Sequence, residues 1–298
     1  MNEPRLCHVQ CISPRGLHRM AYWEWGAPDN PRVLVCVHGL SRQGRDFDTL
    51  ARDLSAEYRV VCPDVVGRGQ SDWLADPMGY GIPSYVADMV TLVARLNVPQ
   101  VDWVGTSMGG LIGLMLASLP LSSASRASSS VMPVRRLVLN DVGPVIQPEA
   151  LKRIGSYLGV PAHWATVEEA ADALRAISLG FGPHTRDEWL ALTRPQLEPD
   201  GPGYKPHYDP AIAVPMRAVT PEMAAAGQTV LWAAYDRINA PTLLLRGGSS
   251  DLLSAETAQA MTQRGPRAQL HTLPGVGHAP TLVAADQRAA VREFLLGP

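Results

Sequence analysis

Short, uninterrupted apolar runs alternate with stretches of helical periodicity over the first 140 residues. Val33–Val37 is apolar at every position and ends in His38-Gly39, the pattern of a strand buried on both faces of a sheet. Phe47, Leu50, Ala51 and Leu54 then fall at i, i+3, i+4 and i+7, the apolar stripe of a helix. Arg59–Pro63 predicts a second short buried strand. A helix follows from near Pro83, with Tyr85, Met89, Val90, Val93 and Leu96 at helical spacing. Residues 101–104 predict a strand, 108–119 a helix apolar on nearly every side, and 136–140 another strand. Ahead of them, 5–13 and 18–25 predict an opening pair of strands turning at Pro14-Arg15-Gly16. This rhythm predicts an α/β fold with a mostly parallel sheet and helices on both faces.

From Pro144 to about Tyr235 the pattern changes. Helices are predicted at 148–158, 167–178, 186–193 and 221–235 with no buried strand between them, interrupted by the proline- and glycine-rich EPDGPGYKPHYDPAIAVP. Strand–helix alternation resumes at Pro241-Thr242-Leu243-Leu244-Leu245-Arg246, with a helix at 254–262, a strand at 268–273 and a last helix at 281–296. The division expected is a core of residues 1–143 and 236–298 with a helical cap, or lid, at 144–235. The serine run 122–130 is expected to be a solvated loop.

Composition narrows the function classes. Of 298 residues 46% are hydrophobic and 18% charged, and 26 basic residues against 28 acidic give a net charge of −2. Such a chain has no field that would draw it to nucleic acid or an anionic membrane. Its longest apolar stretch, 111–119, is far short of the roughly 20 residues that span a bilayer, and the N-terminus lacks the pattern of a signal peptide. Cys36 and Cys62 fall within apolar strands, and Cys7 and Cys11 have no companion pair at zinc-site spacing. A cytoplasmic protein without membrane insertion, nucleic-acid partner or bound metal is expected.

The candidate chemistry lies in Gly105-Thr106-Ser107-Met108-Gly109, a G-x-S-x-G with a strand before it and a helix after it. A serine on so sharp a turn is exposed at the carboxyl edge of the sheet, with the following helix's N-terminus aimed at any negative charge that develops there. Its hydroxyl needs a base. Of eight histidines, His278 lies in the glycine-containing loop after the strand at 268–273. The base in turn needs an acceptor that fixes its tautomer. Asp251, in the loop Gly247-Gly248-Ser249-Ser250-Asp251, is assigned that role because it has a glycine-containing loop after a strand and falls between serine and histidine in chain order. Asp141, at the end of the strand 136–140, is its rival.

With the order Ser107, Asp251, His278, the chain resembles the α/β-hydrolases with a helical cap over essentially its whole length. Val37-His38-Gly39-Leu40 resembles that family's oxyanion loop, and Asp64-Val65-Val66-Gly67-Arg68-Gly69-Gln70-Ser71 its D-x-x-G-x-G-x-S turn. The resemblance implies an eight-stranded sheet and two oxyanion donors, the backbone N–H groups of Leu40 and Met108. It also implies a structural His38 and hydrolysis without a cofactor. A serine at the nucleophile position sets the chain apart from the dehalogenases and epoxide hydrolases, which attack with a carboxylate.

The activity expected is hydrolysis of a small or medium carboxylic ester through an acyl-enzyme on Ser107. The same triad serves C–C bond, lactone or thioester hydrolysis, and a ligand sensor with incidental turnover is the alternative of another class. Tyr157, Trp164, Trp189, Tyr204, Tyr208, Met216 and Trp232 are cap residues that either shape a pocket or pack the cap. Arg42 and Arg45 are either partners for a substrate carboxylate or solvated residues at a helix start.

Overall fold

The computed structural model describes residues 3–119 and 133–297, so the serine run lies outside the described residues. The chain enters as an antiparallel pair, β1 (Arg5–Ser13) and β2 (Gly16–Trp25). It continues through β3 (Val33–Val37), α1 (Asp48–Leu54), β4 (Arg59–Pro63), α2 (Ile82–Leu96), β5 (Val101–Thr106), α3 (Met108–Ala117) and β6 (Val134–Asn140). A block of α4 (Pro148–Tyr157), α5 (Val167–Ile177), α6 (Arg186–Thr193), β7 (Leu197–Asp200), β8 (Gly203–Pro206), α7 (Ala213–Arg217) and α8 (Pro221–Tyr235) follows. The chain closes with β9 (Thr242–Gly247), α9 (Ala255–Met261), β10 (Gln269–Leu273) and α10 (Ala285–Leu296).

Eight strands form one sheet in the order β1-β2-β4-β3-β5-β6-β9-β10. From β4 to β10 every neighbouring pair is parallel. The apolar runs are continuous because both faces are covered. Val33, Val35 and Val37 of β3 pack on one side with residues of α2, α3 and α9, whereas Leu34 and Cys36 pack on the other with Leu50 and Leu54 of α1 and Val291 and Leu295 of α10. A parallel sheet sends all its strand-to-helix loops to one edge, so β3, β5, β6, β9 and β10 deliver their following loops to a common place.

Elements α4 to α8 lie between β6 and β9 in the chain and add no strand to this sheet. One feature here departs from the expectation of helices alone. The proline- and glycine-rich segment contains a short antiparallel hairpin, β7 with β8, turning at Gly201 with φ 57°. Lys205 pairs across it with Glu198 and Asp200. Prolines and charges hide the period-two pattern that marks a half-buried strand. No helix among the described residues is long and apolar enough to cross a membrane.

Candidate active site

Ser107 occupies the single residue between β5 and α3, at φ 52° and ψ −116°. Non-glycine residues avoid this region at a cost of about 1–3 kcal/mol, and such strain persists only where the surroundings enforce it. Here the enforcement comes from close packing. A Cβ on Gly109 would lie 2.0 Å from the Val37 carbonyl oxygen, and one on Gly105 would lie 2.2 Å from that of Gly109. The two glycines let α3 start against β3 and β5, which forces the sharp turn at the residue between them.

His278, in the loop after β10, meets this serine with Nε2 3.0 Å from Ser107 Oγ. Its Nδ1 lies 2.8 Å from Oδ2 of Asp141, directly after β6. With the Nδ1 proton donated to the carboxylate, Nε2 is left as the acceptor of the serine proton. Asp141 is fully buried and also accepts from the Gly247 amide at 2.8 Å and the Ser250 hydroxyl at 2.6 Å. The Ser250 oxygen accepts in turn from the amides of Leu252 and Leu253.

This geometry corrects the assignment of Asp251. The glycine-containing loop after β9 does serve the histidine's carboxylate, but by donating to Asp141. Asp251 points elsewhere, into a bidentate pair with Arg153 of α4 at 2.6 and 3.0 Å. Partial burial pushes its carboxyl up, yet the Arg153 hydrogen bonds and charge outweigh that and hold it below the usual carboxylate range. A signal for Asp141 was present in its place at the end of a buried strand; chain order suited both acids, and the glycine-containing loop spoke for Asp251.

The loop after β3 runs beside the serine. His38 is buried, with Nδ1 donating to the Gly39 carbonyl at 2.7 Å and Nε2 accepting from the Val65 amide at 2.9 Å. Burial pushes its pKa down to about 3, so it is a neutral brace between two loops. The amide of Gly109 is occupied by the His38 carbonyl at 3.1 Å. The Met108 amide is the first of α3 and has no acceptor within the helix. The Leu40 amide belongs to the loop, and among the described residues it has no acceptor either. Asp64, the first residue of the D-x-x-G-x-G-x-S turn, accepts from the amides of Gly44 and Gln70 and from the Trp23 indole. Burial raises its pKa to about 6 against those hydrogen bonds.

Ser107 and His278 open into a cavity of about 110 Å³, also lined by Leu40, Arg42, Arg153, Ile154, Tyr157 and Phe181. A second chamber of about 340 Å³ adjoins it and is lined by Trp164, Ala173, Leu197 and Tyr208 among others. Ser41, Arg42, Tyr157, Leu174 and Ile177 border both. Of the aromatic candidates, Tyr157, Trp164 and Tyr208 therefore face the chambers. Trp189 stacks on Phe181, Trp232 packs under Arg264, and Met216 packs on the core. Tyr204 exchanges backbone hydrogen bonds with Trp164. Arg42 borders the chambers but is held bidentately by Asp46, and Arg45 pairs with Asp48.

A strained serine after the fifth strand of such a sheet, with a histidine and a buried carboxylate lined up behind it, agrees with what the chain matches as a whole. Residues 34–294 fit the family model described as the alpha/beta hydrolase family. The chain belongs to that family. It is a hydrolase, and its fold is the α/β-hydrolase fold. It is 55% identical over 99% of both chains to the 3-hydroxybutyrate-oligomer hydrolase of Cupriavidus necator. It is 28% identical to the pimeloyl-[acyl-carrier protein] methyl ester esterase of Xanthomonas campestris, over 88% of this chain and 94% of that one. Among solved structures it resembles an alpha/beta hydrolase from Novosphingobium aromaticivorans, with a TM-score of 0.83, 34% identity and 99% of each chain covered.

Proposed function

We propose that this α/β-hydrolase cleaves carboxylic esters through an acyl-enzyme on Ser107, with His278 as base and Asp141 as the acid that orients it. The observation that carries this reading is the hydrogen-bonded series from Asp141 through His278 to Ser107 at the floor of a cavity. Ser107 Oγ attacks the ester carbonyl while His278 Nε2 takes its proton, and Asp141 stabilises the imidazolium. The oxyanion accepts from the amides of Leu40 and Met108, each such donor being worth about 10²–10³ in rate. His278 then gives its proton to the departing alcohol oxygen. It next takes one from a water that cleaves the acyl-enzyme and returns it to Ser107.

The substrates are linear esters of short hydroxy acids, and residues 144–235 are the cap that admits them. The Cupriavidus necator relative, at 55% identity, supports this class. So does the second chamber, whose shared border with the first gives an extended chain room beyond the scissile bond. Four free cysteines suit a cytoplasmic location.

The test combines a fluorophosphonate probe with hydrolysis of the linear dimer and trimer of 3-hydroxybutyrate. Expected are a phosphonyl adduct on the peptide containing Ser107, turnover of both oligomers, and loss of both results in Ser107→Ala. Turnover that survives in Ser107→Ala would end the nucleophile assignment. Probe labelling without oligomer turnover would end the substrate assignment alone.

A further inference from the structure

Arg68, in the loop after β4, is fully buried. Its guanidinium donates through Nε to the Leu40 carbonyl at 2.8 Å and through Nη1 to the Val66 carbonyl at 2.7 Å and the Tyr85 hydroxyl at 2.9 Å. Nη2 lies 3.7 Å from the sulfur of Met108. The rings of Tyr85 and Tyr80 face the guanidinium at 5.1 and 5.8 Å. Among the described residues no carboxylate stands within ion-pair distance of Arg68. Asp209 approaches the group through Tyr80, but spends its carboxylate on the Tyr80 hydroxyl and the Ala211 amide. His38 nearby is held neutral by burial, with the Arg68 charge contributing, so it adds no second positive charge.

Burying a guanidinium among carbonyls and phenol rings without a carboxylate is costly, and a neutral side chain of similar volume would pack there more cheaply. Its two catalytic-side contacts are Leu40 and Met108, the residues whose amides face the oxyanion in the reading above. We propose that Arg68 is a positioning residue for the transition state. It anchors the Leu40 carbonyl, which restrains the backbone torsions between that carbonyl and the amide of the same residue, and it holds a permanent positive charge against the Met108 side chain and the Leu40 carbonyl. The ester ground state is neutral at its carbonyl oxygen, and the tetrahedral intermediate carries a full negative charge there. A fixed charge in a dry setting therefore lowers the second state far more than the first. Arg68 thus acts on kcat and leaves KM nearly alone. The proposal rests on Leu40 and Met108 being the oxyanion donors.

The experiment compares wild type, Arg68→Met, Arg68→Lys and Tyr85→Phe on p-nitrophenyl butyrate. It adds inhibition by an aliphatic trifluoromethyl ketone, which forms a tetrahedral adduct with an active serine, and by butyrate as product. In Arg68→Met, kcat is expected to fall by about 10²–10³, with the ketone Ki rising by the same factor and KM and the butyrate Ki moving less than about threefold. Arg68→Lys, which keeps the charge and loses the fork, should recover part of that loss. If Arg68→Met does not fold, as judged by circular dichroism, Arg68→Lys and Tyr85→Phe decide. A fall in kcat matched by the ketone Ki supports the proposal, and wild-type kcat and Ki in both variants overturn it. It is also overturned if the loss in a folded Arg68→Met appears in KM while the ketone Ki stays put. A wild-type protein that forms no adduct with the ketone or with a fluorophosphonate would refute the serine mechanism, and this proposal with it. Normal adducts with unresponsive Arg68 variants would refute this proposal alone.

Discussion

The imidazole of His278 turns its Nδ1 to Asp141 at 2.8 Å, while Asp251, the carboxylate in the loop that wraps Asp141, is bound to Arg153. Two acids thus stand near one histidine, and only one of them touches it. Asp141→Asn is expected to lower kcat by about 10³–10⁴, since an amide at that position holds the wrong tautomer. Asp251→Asn is expected to cost less than tenfold. Steady-state hydrolysis of p-nitrophenyl butyrate by the two variants checks this, and the reverse ranking would return the role to Asp251.

The neutral brace formed by His38 makes stability depend on acidity. Its pKa is about 3 in the folded protein against 6.5 for an ordinary histidine, because burial penalises the imidazolium. The unfolded chain therefore binds a proton that the folded one refuses, over the window between those values. The stability this group supplies is present above about pH 6.5 and lost as the pH falls toward 3. In His38→Gln, whose side-chain oxygen can still accept from the Val65 amide, that loss is absent. The advantage of wild type over the variant in urea midpoint should shrink as the pH is lowered from 7 to 4. Asp64 titrates in both proteins and cancels from the difference. A constant or growing difference would show that His38 is protonated in the fold.

In the proposed reading, the second chamber sets a limit on the length of the ester chain. Ala173, on α5, lines it without lining the cavity at Ser107. Ala173→Trp should fill much of the chamber and lower the ratio of kcat/KM for the 3-hydroxybutyrate trimer to that for p-nitrophenyl acetate by about tenfold, a loss typical of an obstructed apolar subsite. An unchanged ratio would place the rest of the chain along another path.

Several features were legible in the sequence because they depend on local pattern. Continuous apolar runs such as Val33–Val37 mark strands covered on both faces, and the observed packing of alternate residues into two separate cores is the reason. The elbow at Ser107 was legible because two glycines flanked the serine between a strand and a buried helix. The hairpin of β7 and β8 was not, since prolines and charged residues mask its alternation.

The chain by itself determined an α/β sheet, a serine at the turn after β5 and a histidine in the loop after β10. Only the tertiary structure decided which aspartate that histidine meets. β6 and β9 are parallel neighbours with Asn140 beside Leu245, so the loops after them leave the same edge side by side. From there the outcome rests on contacts between distant residues. The backbone at Asp141 takes φ 55°, Gly247 and Ser250 donate to its carboxylate, and Arg153 from the inserted block captures Asp251. None of those contacts leaves a mark on the spacing of residues along the chain. Arg68 follows the same rule, since its contacts with Leu40 and Met108 exist only once the loops after β3 and β4 and the start of α3 have been brought together.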